Sequence, residues 1–256
     1  MIALWPDGVG RIEVEEVDST MLEAPRQAAA GAIPPFWLRA EGQSMARGRR
    51  GRAWAAPRGN FMATLMMPVS GEPATAALRS FVAALALRDA VAGLIAEPER
   101  LTLKWPNDVL LDDRKLAGIL LETATTAAGP ALLIGIGVNL VTAPLRDVLE
   151  AGALPPIALA DATPAPPDPG TFLSHLAPAF ATWEGRFQVD GFAPVRAAWL
   201  ASAKGVGETV TARLPNRAIT GRFLGLDPTG ALLIETPTGA LALAAADVHF
   251  PEKEGA

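Results

Sequence analysis

Apolar and polar side chains alternate over residues 12–17 and again over 36–40, and a period of two predicts a strand in each. Between them, Thr20-Met21-Leu22-Glu23 has the spacing of a helix capping box, so a strand-to-helix corner is expected, with Pro25 disturbing the turn that follows. From 43 to 59 periodicity disappears and most of the charge is arginine. This stretch is expected as a loop before a strand over 61–69. Leu78, Phe81, Leu85, Val91 and Leu94 recur at helical spacing and predict one helix over 78–95. Residues 101–105, 109–111, 116–122 and 131–140 read as strands.

After Pro144 the chain turns rich in Pro and Ala, and 155–169 is expected as a surface loop. Helical patterns over 173–187 and 192–203, with Trp183 and Trp199 at or near core positions, close a first domain. From Glu208 short strands are separated by Pro215-Asn216, Asp227-Pro228-Thr229-Gly230 and Pro237-Thr238-Gly239, at the spacing of a small barrel. The expected domains are therefore 1–203 and 204–256. Strands and helices mix without strict alternation, which makes the fold class α+β.

Composition narrows the function. A chain of 256 residues, 50% apolar, can bury a substantial core. Its net charge of −5 argues against broad electrostatic capture of nucleic acid or acidic membrane, so any basic segment is a local device. There is no cysteine, which excludes disulfides, thiolate metal sites and a cysteine nucleophile. Residues 1–11 carry no targeting pattern and no window has the apolar length of a spanning helix, so a cytoplasmic protein is expected.

The basic segment is Arg47-Gly48-Arg49-Arg50-Gly51-Arg52. Its ordinary reading is a solvated loop, since neighbouring guanidiniums repel unless water or an anion neutralises them. Gly48 and Gly51, however, punctuate the run as a phosphate-enclosing loop requires, and Trp54 offers a flat face for a base. Lys104 emerges from an apolar strand, Pro106 places Asn107 and Asp108 in a turn, and Lys115 follows. Gly118, Gly135 and Gly137 lie inside strands, where glycine marks close approach of a ligand or backbone, and Asn139 ends the last of them. Each has an ordinary structural role when taken alone. His175 and His249 stand beside no matching motif.

Together, Asp18-Ser19-Thr20, Gln43 before the arginine run and Trp54, Lys104-Trp105-Pro106-Asn107-Asp108, Arg114 to Leu120, and Gly135-Ile136-Gly137-Val138-Asn139 resemble the biotin protein ligase family from about residue 17 to 250. The resemblance implies a catalytic domain related to class II aminoacyl-tRNA synthetases, followed by an SH3-like barrel. It also implies two-step chemistry: biotin and ATP give biotinyl-5′-AMP, which a lysine of a biotin carboxyl carrier protein then attacks. Lys115 and Arg49 become the catalytic candidates. Ser19, Thr20, Gln43, Arg47, Gly48, Arg49, Lys115, Gly118, Leu120 and Gly135 are implied to hold biotin. Arg49, Arg50, Arg52, Trp54, Lys104, Asn107, Lys115, Gly137 and Asn139 are implied to hold ATP, and Asp108 is the Mg²⁺ candidate. A homodimer is compatible with the resemblance. It begins within the first twenty residues, so no DNA-binding domain and no DNA partner are expected.

Two residues depart from the family's usual pattern: Met21 where Asn follows Ser-Thr, and Ala46 where Gly precedes the arginine run. If position 46 requires positive φ, alanine there costs roughly 1–2 kcal/mol. The rival readings are a lipoate- or octanoate-transferring relative, whose octanoyltransferase branch needs the cysteine this chain lacks, and a degenerate homologue that binds nucleotide or biotin without turnover.

Overall fold

A computed structural model of the chain describes residues 4–55, 57–69, 71–145 and 154–250. Residues 1–3 and 251–256 of the two expected domains lie outside the described residues. In chain order the elements are β1 (Gly10–Val17), α1 (Thr20–Ala29), β2 (Phe36–Gln43), β3 (Phe61–Pro68), α2 (Pro73–Ala77), α3 (Arg79–Ala92), β4 (Leu101–Lys104), β5 (Asp108–Leu111), β6 (Arg114–Thr126) and β7 (Gly129–Val138). Then come α4 (Pro169–Asp190), α5 (Phe192–Ala201), β8 (Thr209–Arg213), β9 (Ala218–Leu226), β10 (Leu232–Thr236), β11 (Gly239–Leu243) and β12 (Asp247–His249). A seven-stranded sheet runs β1-β2-β3-β7-β6-β5-β4, with β1 parallel to β2 and every other pair antiparallel.

The central strands are apolar on both faces because both are covered. Trp37, Leu65, Met67, Leu132 and Ile134 point toward α3, α4 and α5, where Trp37 meets Phe180 edge-on at 5.9 Å and Phe61 meets Phe172 at 4.9 Å. The alternate residues Phe36, Leu38, Met66, Ala131 and Leu133 pack with Met21 and Ala24 of α1. Double coverage explains the continuous apolar run of β3, which one-faced alternation does not describe. α3 and α4 are pinned by a largely buried ion pair, Arg79 Nη2 to Glu184 Oε1 at 2.8 Å.

Several expectations are corrected. The helix cap is Ser19, whose side chain accepts from Met21 N–H, while Thr20 is already helical and Glu23 bonds Arg26 and Gln27. The Thr20–Glu23 box is therefore not the cap, and α1 continues through Pro25 to Ala29. The helix expected over 78–95 is present as α3 but ends at Ala92, and the short α2 precedes it across Leu78, which together with Phe81 seats closely against Gly230 in the turn between β9 and β10. Residues 155–169 are not simply a surface loop. Lys115 N–H donates to Pro155 O at 2.8 Å, Ile157 N–H to Lys115 O at 3.1 Å and Leu159 N–H to Asn139 O at 2.8 Å, and residues 157–159 are buried. The prolines lack N–H groups but their carbonyls serve as acceptors, so this segment straps the start of β6.

The C-terminal strands form a separate antiparallel sheet, β11-β10-β9-β8-β12, whose edge strands β11 and β12 do not pair, so the expected barrel is not closed by hydrogen bonds. Phe223, Leu232, Ile234 and Val248 join the same apolar cluster as Phe81 and Trp199. Trp105 Nε1 donates to Gly230 O at 3.0 Å across that junction. Among the described residues no helix is long and apolar enough to cross a membrane.

Candidate active site

Along β7 the side chains on the α1 face read Ala131, Leu133, Gly135, Gly137, so bulk disappears part-way along one face of the sheet. The neighbouring strands match: Thr64 pairs with Gly135, Leu120 with Gly135, and Gly118 with Gly137. The glycines floor a cavity of about 840 Å³. One row crosses the sheet from Lys104 to Asp108 to Gly118 to Gly137, which brings the lysine and the carboxylate beside the floor.

Lys115 enters this face through a bulge. The β5–β6 register slips between Val109 and Leu110, and Leu116 and Ala117 both join the buried cluster on the opposite side. An extra residue in one strand re-aims the side chains before it, and here it turns Lys115 toward the cavity. Lys115 Nζ lies 2.8 Å from Asp108 Oδ1 and over the Trp54 ring at 5.4 Å, while Lys104 Nζ is 3.9 Å from Asp108 Oδ2. Burial pulls the Lys104 ammonium below the ordinary lysine range and lowers Arg49 as well.

The arginine run closes over the cavity from residue 47 to 52. Gly48 N–H donates to Arg52 O at 2.7 Å, and Arg50 and Gly51 take left-handed backbone, with φ of 59° and 72°. Ala46 does not, so the strain expected at that position is absent. Arg49 Nη1 reaches Asn107 Oδ1 at 3.4 Å, Arg47 pairs with Glu122 at 2.8 Å, and Arg50 and Arg52 both reach Asp247. Asn107 itself is fixed by donating to Ile119 O.

Every residue nominated from the sequence lines the cavity, including Ser19, Thr20 and Gln43. Thr20 N–H donates to Gln43 Oε1 at 2.6 Å and Thr64 Oγ1 to Thr20 Oγ1 at 2.9 Å. Asn139 is buried, donates to Ile157 O at 3.1 Å and leaves its Oδ1 without a partner. A Cβ at Gly135 would come 2.7 Å from Met21 Sδ, and one at Gly137 2.6 Å from Trp54 Nε1, so those two side chains rest directly on the glycine floor. Sequence reasoning missed the wall contributed by Arg213, Pro215, Asp247 and His249. His249, read as unremarkable, lies on that wall, and no local motif marks any of these residues.

Among the described residues, Arg47, Arg49, Arg50, Arg52, Lys104, Lys115 and Arg213 line the cavity against the carboxylates of Asp108 and Asp247, so an acidic chain encloses a strongly cationic site. Among the described residues no group of three His, Cys, Asp or Glu side chains is placed to hold a metal ion. The two oxygens of Asp108, the Mg²⁺ candidate, face Lys115 at 2.8 Å and Lys104 at 3.9 Å. A divalent cation here fits as part of a metal–nucleotide substrate, which brings its own phosphate ligands.

Residues 39–139 match the Biotin/lipoate A/B protein ligase family and residues 205–250 the Biotin protein ligase C terminal domain. A Paracoccus denitrificans protein named biotin--[acetyl-CoA-carboxylase] ligase is 46% identical over 234 residues, covering 91% of this chain and 97% of that protein. The chain belongs to the biotin protein ligase family. A Mycobacterium tuberculosis protein of the same name is 43% identical over 135 residues, which are 51% of this chain and 49% of that one. Among solved structures, a biotin protein ligase from Aquifex aeolicus in complex with biotin and ATP superposes with a TM-score of 0.76 at 24% identity, covering 93% of this chain and 97% of that chain, and so shares the fold. Membership makes the protein a ligase enzyme, and both family regions contribute walls to the one cavity.

Proposed function

We propose that this ligase activates biotin with ATP and transfers it to a lysine of a biotin carboxyl carrier domain in the cytoplasm. The observation that carries the reading is the convergence of Lys104, Lys115 and the arginine loop on the glycine floor of a cavity of about 840 Å³. A biotin carboxylate oxygen attacks the α-phosphorus of Mg-ATP, the bond to the β-phosphate breaks, and pyrophosphate leaves. The carrier amine then attacks the acyl carbon, AMP leaves, and the amine gives up its proton to solvent.

Two anions must meet in the first step, so positioned cations are the main requirement. In this reading Lys115 exchanges Asp108 for the carboxylate and α-phosphate, and Arg49 bridges the same groups. Arg50, Arg52, Lys104 and Asn107 hold the remaining phosphates. Trp54 leaves the floor to stack on adenine, and the orphan Oδ1 of Asn139 accepts a base N–H. Ser19, Thr20, Gln43 and Gly135 form the biotin end with Met21, Gly118 and Leu120 beside it, while Arg47 and Gly48 close over it. We read residues 1–203 as the catalytic domain, of class II aminoacyl-tRNA synthetase type, and 204–256 as an SH3-like domain that completes the nucleotide side.

Exchange of labelled pyrophosphate into ATP tests the reading. Exchange with biotin is expected, and lipoate and octanoate run in parallel should give none. Exchange with either alternative acid alone moves the protein to the lipoate branch, and none with any acid marks a binding-only homologue.

A further inference from the structure

Asp247 belongs to β12 at the far end of the chain, yet its carboxylate meets the arginine loop. Oδ2 accepts from Arg50 Nη1 at 2.5 Å and from Arg52 Nη2 at 2.9 Å. Arg50 makes that reach from φ 59°, ψ 26°, a region unfavourable for a non-glycine residue that persists only where the surroundings hold it. The carboxylate is mostly enclosed, with 21% of its side chain exposed, and it also acts electrostatically on Arg49 and Lys104. It is the C-terminal sheet's acidic group in the cavity wall.

We propose that Asp247 is a positioning residue for nucleotide binding: from the C-terminal sheet it holds Arg50 and Arg52 over the cavity before the phosphates arrive. The proposal rests on the ligase reading above. Left to themselves, clustered guanidiniums spread apart and ordering them is charged against binding, whereas a fixed carboxylate neutralises and aims them in advance. A guanidinium has five N–H donors, so each arginine keeps donors for phosphate oxygens while bonded to Asp247.

The test compares wild type, D247N, D247E, R50Q/R52Q and D247N/R50Q/R52Q by pyrophosphate exchange, with ATP binding measured by calorimetry on the same proteins. D247N should raise KM and Kd for Mg-ATP about tenfold while KM for biotin stays within about twofold, and D247E should recover part of the loss. In the R50Q/R52Q background the same change should shift ATP affinity by less than about twofold, because a residue acting through two arginines has no effect once they are gone. A merely structural role would cost the same in both backgrounds, and that result overturns the proposal. So does unchanged or tighter ATP binding by D247N, the latter meaning that Asp247 competes with phosphate. If wild type exchanges no pyrophosphate with biotin, the ligase reading fails, and the calorimetry still decides the role of Asp247.

Discussion

At Gly137 a single hydrogen stands where any other residue would strike the Trp54 indole, and the same holds for Met21 above Gly135. The two glycines differ in what must give way. Trp54 is a rigid ring, whereas the Met21 thioether is the end of a flexible side chain. Gly137→Ala is therefore expected to fill the floor on the nucleotide side and raise KM for ATP more than KM for biotin, and steady-state exchange kinetics check this split. Lys115→Ala should lower exchange about 100-fold or more, since it removes a cation aimed at developing charge, while the thermal melt stays close to wild type. Exchange near wild type in that variant would assign the chemistry elsewhere. Lys104 adds a pH signature. Burial holds its ammonium below the usual 10.5, so its charge is lost sooner as pH rises and KM for ATP should climb on the alkaline side. Lys104→Arg keeps its charge and should flatten that climb.

The elements show which residues the linear pattern was able to place. The glycines at 118, 135 and 137 were legible as close-approach positions because an interior glycine weakens a strand without another purpose. That they share a floor with Lys104 and Asp108 depends on cross-strand register, which the pattern of any one strand does not reveal. The strap at 155–159 was misread because proline and alanine look alike in a solvated loop and in a segment whose carbonyls bind a neighbouring strand. Asn139→Ala would leave Ile157 O without its donor, so a loss of about 1–3 kcal/mol is expected by denaturant unfolding, together with weaker ATP binding as Lys115 loses its brace. Between α3 and α4, Glu184→Ala strands the Arg79 guanidinium and should cost about 3–5 kcal/mol, whereas replacing both partners with methionine should cost far less. Equal losses in the two variants would show that the pair contributes more than mutual neutralisation.

Across the whole molecule, one apolar cluster runs from the large sheet into the C-terminal sheet, so the boundary near 203 separates chain segments that share a core. A protein ending at residue 203 would expose Phe81, Trp105 and Trp199, and it is expected to lack a cooperative melt and to bind a hydrophobic dye. A cooperative melt would make the first segment self-sufficient. Acid stability follows from carboxyls held low by hydrogen bonds from Arg39 to Glu13, Arg26 to Asp18, Arg100 to Asp112 and Thr171 to Asp168. Because their folded values are depressed, the stabilisation is present above the ordinary values of 4.5 and 3.8 and is lost as pH falls through the folded ones. Melting temperature should therefore hold near neutral pH and decline below about pH 4.

The sequence by itself determined the element types, the family, and the phosphate and glycine motifs of the cavity, because periodicity and special residues are local and survive in one dimension. The tertiary structure alone decided three things: the bulge that turns Lys115 to the cavity, the strap that braces it, and the placement of Asp247 against the arginine loop. Each is a contact between segments with no common local signal, made where two sheets bury a single core and bring the ends of the chain to one site.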